Sequence, residues 1–158
     1  ISTFSFTKSP TCVELNRNYF RNFSVTLKNS KLSLDVDLIT PLSQEINLNL
    51  DFQKGNLNSQ SYQSIYKISL DICRLIQSRN NSIFKKWLLT IYKSGNLPRK
   101  CPVQPNHYHI RNLSLSNLNV PPFLFDGIFR VLFDLIYIKD NAKITDFMCK
   151  CVVEVELK

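Results

Sequence analysis

His107 and His109, separated by Tyr108, are the only histidines of the chain. In an extended segment, side chains two positions apart share a face, so this pair could hold a metal ion jointly. Two ligands do not complete a centre, and structural zinc sites draw on closely spaced cysteine pairs to finish one. The five cysteines, Cys12, Cys73, Cys101, Cys149 and Cys151, include no Cys-x-x-Cys pair. The histidines are therefore read as exposed side chains after a Pro105-Asn106 turn, and no metal is expected. Asp35 and Asp37 form a carboxylate pair at the same spacing, but on the solvated side of a strand. No serine stands in a Gly-x-Ser-x-Gly context, and three glycines cannot furnish a phosphate-cradling loop. Neither catalytic residues nor a cofactor is expected.

The chemistry left to the chain is cross-linking and glycan attachment. Asn22-Phe23-Ser24, Asn80-Asn81-Ser82 and Asn112-Leu113-Ser114 are glycosylation acceptors, so Asn22, Asn80 and Asn112 are expected at the surface. With widely spaced cysteines they favour the secretory pathway and an extracellular protein. The chain opens at Ile1-Ser2-Thr3 without an apolar leader and is read as mature. No run of 18 apolar residues is present, so no transmembrane span is expected. Twenty Lys and Arg against twelve Asp and Glu give a net charge of +8. The basic residues are scattered, without the dense run that tracking a phosphate backbone requires, and no nucleic-acid partner is expected.

These residues need elements to position them. Leu32, Leu34, Val36 and Leu38 alternate with Lys31, Ser33, Asp35 and Asp37. Ile46, Leu48, Leu50 and Phe52 alternate with Glu45, Asn47, Asn49, Asp51 and Gln53. Period-two alternation predicts two strands, each with one wet and one dry face, and an antiparallel pairing of the two across Pro41. Phe23, Val25 and Leu27 predict a strand upstream; Lys54-Gly55-Asn56 predicts a break. Ile68, Leu70 and Ile72 predict a strand running into Cys73. Another begins at Tyr108 and Ile110 and continues through a bulge to Leu113 and Leu115. Residues 128–137 are apolar on both faces, as a covered or central strand is. The last strand presents Phe147, Cys149, Cys151, Val153, Val155 and Leu157 on one face. Ile83, Phe84, Trp87, Leu88 and Ile91 recur instead at helical spacing, with Ser82 as N-cap and Gly95 as stop. This helix is read as a lid on the core, its lysines leaving membrane contact as the alternative. One domain over residues 1–158, an all-β, immunoglobulin-like two-sheet antiparallel sandwich with one short inserted helix, buries this many one-sided strands economically.

Two bridges among five cysteines leave one thiol over. A bridge between Cys73 and Cys101 would pin the helical excursion at its base. Cys149 and Cys151 share a face, so either could meet Cys12.

The run Leu70-Asp71-Ile72-Cys73-Arg74-Leu75, with Asn96-Leu97-Pro98, Cys101-Pro102 and Asp126-Gly127-Ile128-Phe129-Arg130, resembles a large insect family of secreted proteins. That family includes the chemosensory CheB-type proteins and is related to the ML lipid-recognition fold. The resemblance implies a sandwich whose sheets splay around an apolar cavity, and a Cys73–Cys101 bridge. Many members carry a cysteine just before a Leu-Lys pair, whereas Val25-Thr26 precede Leu27-Lys28 here, which leaves the partner of Cys12 open.

The inward faces of Val36, Leu38, Leu70, Phe129, Val131 and Phe133 are expected to converge with Trp87 on one apolar space between the sheets. The expected function is a secreted, non-enzymatic carrier of a small hydrophobic ligand: a lipid, a sterol, or a cuticular hydrocarbon or pheromone. The resemblance extends this to chemosensory perception and a membrane receptor as partner. The alternative is an extracellular protein–protein interaction module or receptor co-factor with a filled core and no ligand.

Overall fold

The computed structural model describes residues 2–158 other than Leu57 and Ser59. Among these residues the chain forms a two-sheet antiparallel β-sandwich. Its larger sheet contains β1 (Phe4–Phe6), β2 (Thr11–Leu15), β5 (Glu45–Asn56), β6 (Ser61–Asp71), β8 (Gly127–Lys139) and β9 (Ile144–Leu157). The order is β1-β9-β8-β5-β6, with β2 also paired to β9. The smaller sheet has the order β3-β4-β7, from Phe20–Lys28, Lys31–Leu38 and Asn106–Ser114. Two helices, α1 (Ile72–Gln77) and α2 (Ile83–Tyr92), lie between β6 and β7.

The two strands that alternate most cleanly do form, but not as a pair. β4 lies between β3 and β7, while β5 lies between β6 and β8 in the other sheet. The connection through Pro41 therefore crosses between sheets, and Leu42 exchanges backbone hydrogen bonds with Val103 (2.9 and 3.0 Å) as it does so. Alternation specifies a dry face but not which strand lies beside it.

Three local readings also change. The strand expected to reach Cys73 ends at Asp71, whose carboxylate accepts hydrogen bonds from the amides of Cys73 (3.1 Å) and Arg74 (3.2 Å) and so starts α1. Cys73 thus stands on a helix, and the inserted segment holds two helices instead of one. Lys54-Gly55-Asn56 does not break β5, which runs to Asn56. A Cβ at Gly55 would lie 3.1 Å from the Tyr62 ring and 3.3 Å from the Ile128 carbonyl, so this glycine admits close neighbours within the strand. In β9, Leu135 pairs with Cys149 while Ile136 pairs with Phe147. The extra residue, Met148, makes a bulge that turns Phe147 to the opposite face from Cys149 and Cys151.

β5, β8 and β9 run for 12, 13 and 14 residues, whereas the smaller sheet's strands run for 8 or 9. One half of the long sheet is covered by the short one. The other half is covered by α2 and by the irregular segment between β7 and β8, which contributes Leu115, Val120, Phe123 and Leu124. The interior accordingly divides into two clusters, one centred on Phe20, Val36, Leu38, Ile46 and Met148, the other on Phe52, Phe84, Phe129, Val155 and Leu157.

Candidate functional site

A cavity of about 360 Å³ lies between the two sheets. Phe23 and Val25 of β3, Leu32, Leu34, Val36 and Leu38 of β4, and Tyr108 and Ile110 of β7 form one wall. Ile46 and Leu48 of β5, Phe133 and Leu135 of β8, and Met148 and Val153 of β9 form the facing one. Ile72, Leu97, Pro98 and Val103 close one side, so the segment tethered by the Cys73–Cys101 disulfide contributes to the boundary. Alternation supplies these walls directly: the even-numbered residues of β4 and β5 face inward and the odd-numbered aspartates and asparagines face out.

Among the described residues Tyr108 is the one lining side chain with a polar group, and its hydroxyl donates to the Gln104 carbonyl at 2.5 Å. Burial pushes the Tyr108 hydroxyl above its ordinary pKa, so it remains a protonated donor with its hydrogen bond already used. The cavity therefore offers apolar contact and no free polar anchor. Water is poorly held in such a space, since each molecule needs two or more polar partners. Were it a closed and empty void, it would cost about 9 kcal/mol at roughly 24 cal/mol per Å³. That is comparable with the whole stability of a domain, so this volume exceeds an ordinary packing defect.

Of the seven side chains expected to share one space, Val36, Leu38 and Phe133 line the cavity. Leu70, Trp87, Phe129 and Val131 do not; they belong to the second cluster under α2. There Phe129 is fully buried, and Trp87 packs edge-on against Phe84 (5.5 Å between ring centroids) and Phe4 (6.3 Å). The indole Nε1 of Trp87 donates to the Asn119 carbonyl at 2.6 Å. Phe133, with Leu48 and Val153, lines the cavity and also packs against the second cluster, so the two regions adjoin along the long sheet where it extends past the short one. Inward-facing alternation does not convey those strand lengths. Cavity residues that sequence reasoning missed, such as Leu34, Leu48 and Leu135, carry the same alternation signal as Val36 and Phe133. Met148, brought inward by a bulge, carries none.

Cys12 is bonded to Cys151 and Cys73 to Cys101, leaving Cys149 as a buried thiol. Burial pushes the Cys149 thiol up to about 12, which keeps it protonated and unreactive near neutral pH. Asn22, Asn80 and Asn112 are all exposed, and Asn112 takes a left-handed conformation (φ 53°) where the β4–β7 register shifts.

On the outer face of the small sheet, the structure joins residues that the sequence presents separately. His107 places Nε2 2.8 Å from Asp35 and Nδ1 2.5 Å from Asp37, and Arg111 meets Asp35 at 2.6 Å. Both ring nitrogens face acceptors, as suits an imidazolium that donates twice. Hydrogen bonds to Asp37 and then Asp35 raise the His107 pKa; the Arg111 hydrogen bond, with a smaller contribution from His107, lowers that of Asp35. Among the described residues no group of three or more His, Cys, Asp or Glu is disposed to hold a metal ion. Nor is any helix long and apolar enough to cross a membrane.

A family model described as "Protein of unknown function (DUF1091)" matches residues 46–131, more than half of the chain. The matched stretch begins in β5, includes both cysteines of the Cys73–Cys101 bridge and ends in β8. No curated protein matches the chain.

Proposed function

The chain belongs to the DUF1091 family, and from that premise and the cavity we propose that it is a secreted, non-enzymatic binding protein for a small hydrophobic ligand. The observation that carries this reading is the apolar space of about 360 Å³ between the sheets, within the range that small-molecule sites occupy. A lining without free polar groups suits an acyl chain, a sterol or a long-chain hydrocarbon, whose binding draws on apolar burial alone. Two disulfides and three exposed sequons support an oxidising, extracellular setting. The resemblance to chemosensory CheB-type proteins and the ML fold supports a cuticular hydrocarbon or pheromone as ligand and a membrane receptor as the recipient of the complex.

Native mass spectrometry of gently purified protein should reveal a bound apolar adduct. A panel of fatty acids, sterols and long-chain hydrocarbons should raise the Tm of delipidated protein, since a ligand that binds only the folded state stabilises it by mass action. Identical masses before and after delipidation, with no thermal shift across the panel, would overturn the carrier reading and favour an interaction module.

A further inference from the structure

Between Asp71 and Asp126 the chain contains no acidic residue, yet residues 72–125 hold eight of its Lys and Arg. The rest of the chain holds twelve of each sign, so the whole net charge of +8 resides in this one stretch. The stretch forms α1, α2, the loop after them, β7 and the irregular segment that leads to β8. Not all eight cations are free. Arg74 lies 3.7 Å from Asp71, Arg111 pairs with Asp35, and Lys85 donates to the Leu75 (3.0 Å) and Ile76 (2.7 Å) carbonyls at the end of α1. Arg79 is exposed one residue before the Asn80 sequon, where a glycan would cover it. Lys86, Lys93, Arg99 and Lys100 remain, all exposed and none in an ion pair among the described residues.

The fold brings Arg99 to the end of α2 beside Lys93, with Lys86 two turns back along that helix and Lys100 next to Arg99 in the chain. Lys86 and Lys93 are seven residues apart and so lie on one face of the α2 axis. Arg99 returns to the end of that helix, its guanidinium 4.4 Å from the Tyr92 ring and donating to the Tyr92 carbonyl at 3.3 Å. Lys100 adjoins Cys101, whose disulfide to Cys73 fastens the loop to α1. We infer that Lys86, Lys93, Arg99 and Lys100 form a docking surface for a sulfated polysaccharide.

Charge complementarity sets the sign of the partner, and the surrounding structure sets its class. A membrane would need a helix with apolar side chains to insert. Those of α2 are committed to the core, with Phe84 and Tyr92 buried, and only Leu89 is largely exposed. A protein partner would need an apolar centre with aromatic anchors, which this surface lacks. A sulfated chain needs only repeated cations presented without intervening carboxylates, and a guanidinium held in place suits its oxyanions. The choice of sulfated polysaccharide over nucleic acid rests on the extracellular reading; the ligand cavity plays no part in it.

The test uses the full chain and heparin as probe, at physiological ionic strength. Two triple variants each lower the net charge by three: K86Q/K93Q/K100Q on the proposed surface, and K28Q/K31Q/K143Q at exposed lysines elsewhere. Wild type should bind and be displaced by salt. The first variant should lose about tenfold or more in affinity and the second less than about threefold, because ionic contacts act locally at this salt. Unchanged Tm in both variants establishes folding, since all six side chains are exposed. Equal loss in both variants would reduce the effect to net charge and overturn the site. So would an absence of heparin binding, or tighter binding to polyglutamate, to duplex DNA, or to vesicles with 30% phosphatidylserine.

Discussion

Cys12 and Cys151 stand directly opposite one another across the β2–β9 ladder, Cα atoms 4.0 Å apart, and are covalently joined. This bridge closes 139 residues and ties the start of the chain to its last strand, whereas Cys73–Cys101 closes 28 and ties α1 to the loop beyond α2. On the chain-entropy account, loops of those lengths are worth about 5 and about 3.6 kcal/mol respectively. Replacing Cys12 and Cys151 together by serine should therefore lower stability at least as much as replacing Cys73 and Cys101. Non-reducing peptide mapping checks the connectivity, and denaturant unfolding checks the ranking. A Cys12–Cys149 peptide in native protein would refute the pairing.

Cys149 lies two residues from that bridge, fully buried, and its thiol is held protonated by burial. It should resist iodoacetamide at pH 8 in the native protein and react stoichiometrically once the chain is unfolded in guanidinium chloride. Labelling of the native protein at the rate of a free thiol would show that this strand is open to solvent.

The His107 cluster makes the small sheet sensitive to pH. His107, raised above its ordinary 6.5, stabilises the β4–β7 pairing fully below that pH and loses its effect as pH rises through the raised value. Asp35, lowered beneath its ordinary 3.8, stabilises above that value and loses its effect as pH falls through the lowered one. The Tm difference between wild type and His107→Gln should thus be largest at roughly pH 4–6.5 and shrink on going to pH 8. NMR titration of the His107 ring should place its midpoint above 6.5, and a midpoint at or below that value would contradict the bridged geometry.

That cluster also marks where sequence reading stops. Asp35, Asp37 and His107 each stand on the solvated side of a strand, and alternation identifies all three faces correctly. What joins them is the register of β4 against β7, seventy residues apart in the chain, which no local pattern encodes. The same limit separates β4 from β5, whose alternation is unbroken but whose partners lie in different sheets. The inward sets of β4, β5 and β8 are legible because period-two burial is a local property. The bulge at Met148 is not, since Phe147, Met148 and Cys149 are all apolar and either phase satisfies the pattern. Asp71 was legible in principle: an aspartate before Ile72 with Leu75 and Ile76 one turn on is an N-cap signal, but the alternation leading into it masks the change of period.

The division of the interior into two clusters makes the last prediction sharp. Leu34 lines the cavity, and Phe129 is fully buried in the second cluster and does not line it. Leu34→Trp adds volume where space exists, so it should leave the unfolding midpoint of ligand-free protein within about 1 kcal/mol of wild type, unlike the 1–3 kcal/mol cost of overpacking a filled core. It should also abolish the Tm increase given by any lipid that binds the wild type. Phe129→Ala should do the reverse, destabilising by about 3–5 kcal/mol through a new void in a filled cluster while preserving the order of preference among ligands of different length. The two variants together separate cavity from core by paired thermal-shift and denaturant titrations. If Leu34→Trp destabilises as severely as Phe129→Ala, the space between the sheets is already filled by side chains in solution. If Phe129→Ala instead shifts preference toward longer ligands, the two clusters form one continuous site, and the expectation of a single apolar space would be restored.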